Sequence, residues 1–389
     1  MDESPERLTG VLLGGSGLIG GTILYHFKTV DPSRIRVLSP NSKELSLRVP
    51  SDVQRFFEQV KADFIVNCAI AELDSDPQMT AEINCLGALY LARVAIELGI
   101  PYIHLSSGAL MQNGDPVGTD QRLPLEADLP NYAKGKLIAE RAIEELGRTR
   151  GLDYTIIRLG IVYGTHDHKI RGFHRLLLTL LEGALPVLPT RRNARHSYTN
   201  ARKLPGFVAH VLERREEFGG ETLHFVDPEP VYLGELMLRM KRELGLARPL
   251  EVYLPYPLAQ LMVRLLPLLL WLVSRLGADA RAPSELIFFE RFYQTQVLDT
   301  RELIRSSWVD PEPDWTIYDE LPDLVRYYVQ RWENLNLIRP RMRHWDATQV
   351  FADEFELTPD RLVTRLVSEA QKPFLLECPI AHEDDESED

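Results

Sequence analysis

The sequence predicts an α/β fold, with a doubly wound parallel sheet and a smaller, mainly helical C-terminal subdomain. Over roughly the first 160 residues, short apolar runs alternate with segments of helical periodicity. This alternation is typical of a parallel sheet with helices on both faces. A glycine-rich turn also joins the first apolar run to the first helical segment. Beyond Gly164 the alternation fades and the predicted segments are mainly helical.

Five runs in the alternating region are predicted as strands, because each is short, apolar and rich in residues that favour strands. They are Thr9–Leu13, Ile35–Leu38, Phe64–Asn67, Tyr102–Ser106 and Tyr154–Arg158. A last strand-like run, Thr222–Val226, lies outside this region and could rejoin the same sheet.

Helical periodicity predicts two helices between these strands. An apolar stripe over Val53–Val60 follows a potential helix cap at Ser51. A second stripe over Ile83–Leu98 ends at Gly99. Glycine is common immediately after a helix, which supports an end at Gly99. Both segments are expected to be helices packed on the sheet.

The segment Tyr256–Leu276 is the most hydrophobic part of the chain. A membrane-spanning helix needs about 20 predominantly apolar residues, so the length would permit one. Arg264 and Pro267 interrupt the segment, which argues against a span. A buried helix pair is therefore expected, and a peripheral contact with a membrane surface is the alternative.

The pattern along the chain predicts three regions. Residues 1–165 form the sheet domain, which residues from about 197 to 227 are expected to rejoin. Residues 166–196 and 228–333 form the second subdomain, and residues 334–389 form an appended extension with an acidic tail. A helix could begin at Thr358 and Pro359 in this extension, since proline is favoured in the first helical turn.

Composition and charge exclude several classes of protein. With 44% hydrophobic and 26% charged residues, the chain is neither largely disordered nor collagen-like. Its net charge of −13 makes nucleic acid an unlikely partner. The three cysteines form no CxxC pair, and the acidic N-terminal segment has no apolar run of the secretory type. A cytoplasmic location is therefore predicted.

The sequence Leu13-Gly-Gly-Ser-Gly-Leu-Ile-Gly20 joins the first predicted strand to a helix. Glycine suits a sharp turn whose backbone must touch a phosphate, and a helix N-terminus offers unpaired N–H groups to anionic oxygens. The turn predicts a Rossmann-type dinucleotide site, the alternative being a tight turn without a ligand. The residues expected to bind the dinucleotide are Gly14, Ser16, Gly17, Leu18, Ile19 and Gly20.

Tyr132 and Lys136 lie four residues apart in a predicted helix and would share one face. A nearby ammonium group and a positively charged nicotinamide both favour the phenolate, so Tyr132 could exchange a proton near neutral pH. Ser107 ends a strand twenty-five residues upstream, where its hydroxyl could bind the same carbonyl oxygen. A surface pair without a catalytic role is the alternative for Tyr132 and Lys136.

In their order, these motifs resemble those of extended short-chain dehydrogenases/reductases. The likeness is to the NAD-dependent epimerase/dehydratase family with its dTDP-4-dehydrorhamnose reductase-like members. It covers about residues 8–330. The further motifs that carry it are Asn67-Cys-Ala69, Ile83-Asn-Cys-Leu-Gly87, His104-Leu-Ser-Ser107 and Arg158-Leu-Gly-Ile-Val-Tyr-Gly164.

The resemblance implies hydride transfer between a nicotinamide and a carbonyl or carbinol carbon, with Tyr132 as the acid/base. Lys136 would hold the nicotinamide ribose and lower the pKa of Tyr132, and Ser107 would orient the substrate oxygen. Asn84 would support a proton relay, or else serve as a packing amide of its helix. Further cofactor contacts are expected from Ser39, Asn67, Cys68 and Ala69.

The loop after the second predicted strand leaves the cofactor open between NAD and NADP. From Val37 to Lys43 the sequence has no carboxylate to accept the ribose 2′-hydroxyl of NAD. With Arg36 and Lys43 nearby, this loop could accept a 2′-phosphate. NADP is slightly preferred on this basis.

Two departures from the family's motifs argue against sugar-nucleotide chemistry. Gly108 and Ala109 follow Ser107, where the family's dehydratases carry an acidic pair. Ile161 stands near the position at which many epimerases have an asparagine. The apolar segment Tyr256–Leu276 lies in the part that would cover the substrate, and its composition suits a hydrophobic ketone or alcohol.

Two other functions stay open at this point. One is a nucleotide-sugar epimerase or 4-keto reductase. The other is a non-catalytic Rossmann binding subunit whose residues 334–389 contact a partner. A homodimer is also left open.

Two polar clusters lie beyond Gly164, and neither is predicted to be a metal site. No metal site is predicted, because His166, Asp167 and His168 have no second cluster of ligands to complete one. A basic cluster at Arg191, Arg192 and Arg195 is expected to be an exposed loop, or alternatively a site for a phosphate or carboxylate.

Overall fold

The computed structural model describes residues 7–73, 75–181, 187–188, 193–252, 255–258, 261, 293–338, 355 and 358–370. The chain divides into two compact units, residues 1–334 and residues 335–389. Most of the hydrophobic segment Tyr256–Leu276 lies outside the described residues, as do Arg191, Arg192 and the acidic tail.

The strands in chain order are β1 (Leu8–Leu13), β2 (Ile35–Leu38), β3 (Phe64–Asn67), β4 (Tyr102–Ser107), β5 (Gly114–Val117), β6 (Tyr154–Leu159), β7 (Ile161–Tyr163), β8 (Val187–Leu188), β9 (Arg195–His196), β10 (Tyr198–Asn200), β11 (Glu221–Phe225), β12 (Val231–Tyr232), β13 (Leu250–Glu251) and β14 (Gln296–Leu298).

The α-helices are α1 (Leu18–Tyr25), α2 (Pro50–Gln59), α3 (Pro77–Thr80), α4 (Ala88–Leu98), α5 (Asn131–Arg150), α6 (Phe173–Leu181), α7 (Leu204–Glu213), α8 (Arg215–Phe218), α9 (Leu233–Glu243), α10 (Arg301–Arg305), α11 (Ile317–Asn334) and α12 (Pro359–Ala370). Two π-helical turns, His26–Val30 and Ala81–Gly87, follow α1 and α3.

The central sheet has six strands in the order β11-β6-β4-β3-β1-β2, and all neighbouring strands are parallel. The strand order reverses at β1, which has β2 on one side and β3 on the other. The predicted fold class is therefore confirmed. The run Thr222–Val226 corresponds to β11, which pairs with β6 at the edge of this sheet.

Alternating side chains on the central strands divide the core into two layers. On β1, Leu12 belongs to the apolar cluster under α1 and α7, which includes Phe27 and Phe207. Its neighbours Val11 and Leu13 belong to the opposite cluster under α2 and α4. Because successive strand side chains point to opposite faces, this division buries both faces of the sheet, as a doubly wound fold requires.

The two predicted helices are present, with one difference at a helix start. Helix α2 begins at Pro50, and the residue before the helix is Val49 rather than the predicted cap Ser51. Proline is favoured at the first helical position because its fixed φ already suits a helix. The second helix ends as predicted at Gly99, which adopts the left-handed conformation with φ of +64°.

The region predicted as the second subdomain contains α6, α9, α10 and α11 together with short strands. Helix α9 packs against α11 and also contacts α6. A four-stranded sheet, ordered β12-β9-β14-β5, connects this region to the loop that follows β4. In the second unit, α12 begins at Pro359, as the sequence predicts.

One described helical run, Pro77–Leu98, is long and apolar enough to cross a membrane by length and composition. Half of this run is buried inside the protein, where α4 packs against β3, β4 and α5. Core helices of ordinary globular domains have the same properties, so the run gives only weak evidence for a span.

Candidate active site

The glycine turn between β1 and α1 packs tightly against the residues that follow β3. Gly14 has a φ of +82°, and a Cβ added to it would lie 2.7 Å from the backbone nitrogen of Ala69. A Cβ added to Gly20 would lie 2.3 Å from the carbonyl oxygen of Gly14. The fold itself therefore requires glycine at both positions, because any side chain would meet backbone atoms.

Gly17 has a different environment from these two glycines. Its φ of −83° suits any residue, and the nearest protein atom to an added Cβ is the Gly14 carbonyl oxygen at 3.5 Å. The protein would thus tolerate a side chain here, but that side chain would enter the space in front of α1. Helix α1 has no side-chain cap at its start, so its N-terminal N–H groups suit a pyrophosphate.

The other predicted residues of the turn differ in exposure. Ser16 is exposed, Leu18 and Ile19 are half-buried, and Gly20 is buried. Ser39, at the end of β2, lies beside the turn and donates a hydrogen bond to the Leu12 carbonyl at 3.0 Å. The turn and the end of β2 therefore form one edge of the candidate cofactor site.

Asn67 and Cys68 form the edge of the site at the end of β3. The Asn67 Nδ2 donates to the Tyr102 hydroxyl at 3.0 Å, and its Oδ1 accepts from the Ala69 nitrogen at 3.0 Å. Both polar atoms of this buried amide are thus engaged within the protein. Cys68 is half-buried, and burial raises the pKa of its thiol to about 12. The thiol is therefore neutral at physiological pH.

Ser107 and Tyr132 come together at the carboxyl end of β4. Ser107 is the last residue of β4 and accepts a hydrogen bond from the Ala109 nitrogen at 3.1 Å. Tyr132 is the second residue of α5, and its side chain lies close enough to Ser107 for Ser107 to influence the pKa of the phenol. The pKa of Tyr132 is raised, chiefly by burial, while Ser107 acts to lower it and Glu140 to raise it.

Lys136 lies one helical turn after Tyr132, but its ammonium group is held on the β4 side of α5. Its Nζ donates to the Leu105 carbonyl at 2.7 Å and lies 3.5 Å from the Nε2 of His104. The side chain is buried, and burial lowers its pKa to about 8. The predicted lowering of the Tyr132 pKa by Lys136 is not found, because burial of the phenol outweighs other influences and raises the pKa.

Asn84 lies in the π-helical turn Ala81–Gly87 and packs directly against α5. Its Oδ1 accepts from the Ala71 nitrogen at 2.8 Å, whereas its buried Nδ2 has no hydrogen-bond partner. A Cβ added to Gly135 would lie 3.1 Å from the Asn84 Cβ, so Gly135 permits this close approach. The Asn84 Nδ2 would lie 3.5 Å from the same added Cβ, and the role of Asn84 in a proton relay stays a prediction.

Sequence reasoning missed two buried side chains around these residues. His104 contacts Lys136 from β4, and Glu140 on α5 pairs with Arg158. Both are completely or almost completely buried. The available signal was their polarity, since a histidine inside an apolar strand and a glutamate on the inner face of a helix need buried partners.

His166, His168 and His174 have partners in this structure. His174 lies 2.8 Å from the Asp167 carboxylate and 2.9 Å from the Gly164 carbonyl. His166 and His168 contact Tyr327 and Arg331 on α11. Among the residues that the structure describes, no three His, Cys, Asp or Glu side chains are grouped as a metal site would need.

Residues 11–222, more than half of the chain, match the NAD dependent epimerase/dehydratase family. The chain belongs to this family. The resemblance drawn from the motifs is therefore confirmed.

Two curated relatives differ in the length over which they match this chain. The β subunit of rat methionine adenosyltransferase 2 is 24% identical over 162 residues, which are 40% of this chain and 47% of that protein. Yeast sterol-4-alpha-carboxylate 3-dehydrogenase, decarboxylating, is 22% identical over 257 residues, which are 58% of this chain and 72% of that protein. The chain thus spans about half the length of the rat relative.

Among solved structures, the dTDP-4-dehydrorhamnose reductase of Bacillus anthracis in complex with NADP superposes with a TM-score of 0.57 at 16% identity. The match covers 83% of this chain and 99% of that chain. At this identity the likeness shows that this family member has the same fold.

Proposed function

We propose that the protein is an NAD(P)-dependent oxidoreductase of the extended short-chain type. It would move a hydride between nicotinamide and a carbonyl or carbinol carbon, with Tyr132 as the acid/base. The observation that carries this proposal is the proximity of the Tyr132 and Ser107 side chains at the carboxyl end of β4, where Ser107 acts to lower the pKa of the phenol. In sheets of this kind, ligands bind at the carboxyl ends of the strands where the strand order reverses.

A continuous set of contacts supports placing the reacting groups beside a dinucleotide. The glycine turn packs on Cys68 and Ala69, which follow β3. Cys68 is close enough to Lys136 for their charges to influence each other's pKa. Lys136 in turn contacts β4 two residues before Ser107. The turn, the lysine and the two hydroxyls therefore line neighbouring strand ends.

Each residue of the candidate site would have a separate role in the reaction. Gly14, Gly17 and the start of α1 would hold the pyrophosphate, and a bound nicotinamide would supply or accept the hydride. Ser107 would orient the substrate oxygen, and Tyr132 would give it a proton or remove one. The raised pKa of Tyr132 favours the neutral phenol, which suits proton donation during reduction of a carbonyl.

NADP is the preferred cofactor within this proposal. Arg36 on β2 and Lys43 in the following loop are both exposed at the edge where a ribose 2′-phosphate would lie. The nearby carboxylate of Glu44 is engaged by the backbone nitrogen of Asn41 at 2.9 Å. It would therefore compete less for a ribose hydroxyl than a free carboxylate would.

A hydrophobic carbonyl compound is the preferred substrate class. Ile70 and Leu73 are exposed on the loop after β3, and Leu125 is exposed on the loop before α5. Asn131 at the start of α5 donates to the Ser75 carbonyl at 3.2 Å, which ties these two loops together. The name of the yeast relative, a sterol carboxylate dehydrogenase, is consistent with such a substrate.

Turnover of a substrate panel tests the proposal. The panel contains apolar cyclic and acyclic ketones with their alcohols, and matched nucleotide-linked 4-keto sugars, each with NADPH and NADH. We expect net oxidation of NADPH with an apolar ketone. Turnover confined to the sugar substrates would replace this substrate class with the 4-keto reductase alternative. Tightly held NAD that survives purification without net turnover would instead favour an epimerase.

A non-catalytic subunit is the second candidate, and the name of the rat relative favours it. In that case the dinucleotide site would stabilise a binding platform, and residues 334–389 would contact the partner. Stoichiometric co-purification of a partner enzyme whose activity is unchanged by Tyr132→Phe would support this candidate. Net hydride transfer by the isolated chain would exclude it as the sole function.

A further inference from the structure

A chain of buried polar side chains extends from Lys136 away from the proposed reaction centre. The Nζ of Lys136 lies 3.5 Å from the Nε2 of His104, and the Nδ1 of His104 lies 3.2 Å from the Tyr102 hydroxyl. That hydroxyl accepts from Asn67 at 3.0 Å and lies 3.3 Å from the Ala88 carbonyl. Each of the four side chains is at most 1% exposed.

Counting donors and acceptors fixes the direction of these hydrogen bonds when Lys136 carries its charge. An ammonium group only donates, so the Nε2 of His104 must accept and the proton of the imidazole must sit on Nδ1. That Nδ1–H then donates to the Tyr102 hydroxyl, which accepts from Asn67 with its other lone pair. The phenol proton of Tyr102 is left to donate to the Ala88 carbonyl, so each of these hydrogen bonds has one donor and one acceptor.

The other groups around Lys136 do not replace His104 as an acceptor. Glu140 on α5 favours the charged lysine, but both of its oxygens are engaged by Arg158. Cys68 after β3 and Cys85 in the π-helical turn also face Lys136, and burial raises the pKa of both thiols. The remaining partner is the Leu105 carbonyl on β4. His104 is thus the one neutral side chain of this set that hydrogen-bonds the ammonium.

We propose that His104 is a positioning residue for Lys136, acting as a neutral imidazole that accepts a hydrogen bond from the buried ammonium group and is itself fixed by Tyr102 and Asn67. Burial and the charge of Lys136 both lower the pKa of His104, which keeps the ring neutral. The meaning of this contact for catalysis rests on the proposed function, whereas the contact itself does not.

The direct test is a pH titration of Lys136 in the full chain. The titration is observed by NMR of lysine labelled with ¹³C at the ε-carbon. The Lys136 signal is assigned by its loss in Lys136→Met. In the wild-type protein we expect a midpoint near the lowered pKa of about 8. In His104→Phe, which keeps an aromatic ring but removes the acceptor, we expect the midpoint to fall by about one pH unit or more.

Two variants separate the acceptor from the shape of the side chain. His104→Gln offers an amide oxygen to Lys136, so its midpoint is expected within about half a pH unit of wild type. His210→Phe makes the same substitution on α7, where the ring packs against Phe218 and Trp308, and it should leave the midpoint unchanged. A folded His104→Phe with the wild-type midpoint would overturn the proposal.

The proposal stays testable if His104→Phe does not fold. Tyr102→Phe removes only the hydroxyl that fixes the imidazole, and we expect it to lower the Lys136 midpoint in the same direction. An unchanged midpoint in Tyr102→Phe, or a fall of a full unit in His104→Gln, would contradict the assignment. None of these titrations needs a substrate or a cofactor, so their failure is distinct from failure of the proposed function.

If the protein turns over a carbonyl substrate, the same variants predict a change in its pH profile. One limb of the pH profile of kcat would follow the ionisation of Lys136. His104→Phe should move this limb to lower pH, and His104→Gln should leave it near its wild-type position. A uniform loss of kcat in His104→Phe with an unshifted profile would indicate a purely structural role for His104.

Discussion

Arg158 and Glu140 form an ion pair with two hydrogen bonds and no solvent exposure of either side chain. The Nε and Nη2 of Arg158 lie 2.9 and 2.8 Å from the two carboxylate oxygens of Glu140. Glu140 is on the same helix as Tyr132 and Lys136, and its charge acts to raise the pKa of both. Arg158 therefore compensates a buried charge within the candidate site.

Removing one member of this pair should be costly. For Arg158→Met we expect a loss of up to about 3–5 kcal/mol in the free energy of unfolding, because the buried Glu140 would lose both of its hydrogen bonds to Arg158 and keep only the Nε of Arg122, 3.5 Å away, as a cationic partner. Urea unfolding followed by circular dichroism measures the change. The double variant Arg158→Met/Glu140→Met should recover at least half of the loss. If Arg158→Met lowers the free energy of unfolding by less than about 1 kcal/mol, the pair does not contribute to stability as we expect.

Gly17 provides a test of the dinucleotide site that spares the fold. We expect Gly17→Asp to weaken NADP and NAD binding at least about a hundredfold, because the carboxylate would occupy the pyrophosphate position and repel it. Isothermal titration calorimetry measures the affinity. Gly206→Asp on α7 is the matched control, since a Cβ there also has its nearest atom at 3.5 Å. Normal affinity in a folded Gly17→Asp would refute the site.

The choice between NADP and NAD depends on two exposed basic residues in this account. We expect Arg36→Ala/Lys43→Ala to weaken NADP binding about tenfold and NAD binding less than about twofold, because exposed charge pairs each contribute up to about 1 kcal/mol. Calorimetry with both dinucleotides checks this, with Lys61→Ala as a remote control. Equal losses for the two dinucleotides would contradict 2′-phosphate recognition at this edge.

Asp227 should make the stability of the fold depend on pH. It accepts hydrogen bonds from the Tyr163 hydroxyl at 2.8 Å and the Asn200 nitrogen at 3.3 Å, and burial raises its pKa to about 6. The folded state thus keeps a proton that the unfolded chain has already released. This contribution is complete below the unfolded pKa of 3.8 and is lost as the pH rises through about 6.

The variant Asp227→Asn isolates this effect. Relative to wild type, its free energy of unfolding should rise by about 2–3 kcal/mol between pH 4 and pH 7, since one pKa unit corresponds to about 1.4 kcal/mol. Urea unfolding of both proteins at several pH values measures the difference. A constant difference across this range would mean that Asp227 titrates at an ordinary pKa.

The sequence predicted the parts of the fold that depend on local patterns. Each strand of the central sheet is a short apolar run, and the turn at Gly14 needs a conformation that glycine adopts readily, so both could be identified without neighbours. The start of α2 was misplaced by a competing local signal. Ser51 is a good helix cap, but Pro50 suits the first helical position, and the helix begins two residues earlier than a cap at Ser51 would place it.

The site was less predictable because its chemistry depends on burial and on contacts between distant strands. The spacing of Tyr132 and Lys136 predicted a shared helix face, but it could not show that Lys136 would donate to the Leu105 carbonyl of β4. For the same reason the direction of the Tyr132 pKa shift was wrong. The sign is set by desolvation of the phenol, which no spacing in the sequence reports.

The central claim is that Tyr132 transfers the proton that accompanies hydride transfer. With an apolar ketone from the panel and NADPH, Tyr132→Phe should lower kcat by at least about a hundredfold, while the affinity for NADPH stays within about twofold of wild type. The measurement is steady-state turnover with parallel calorimetry of NADPH binding. Wild-type kcat in a folded Tyr132→Phe that binds NADPH normally would contradict the account.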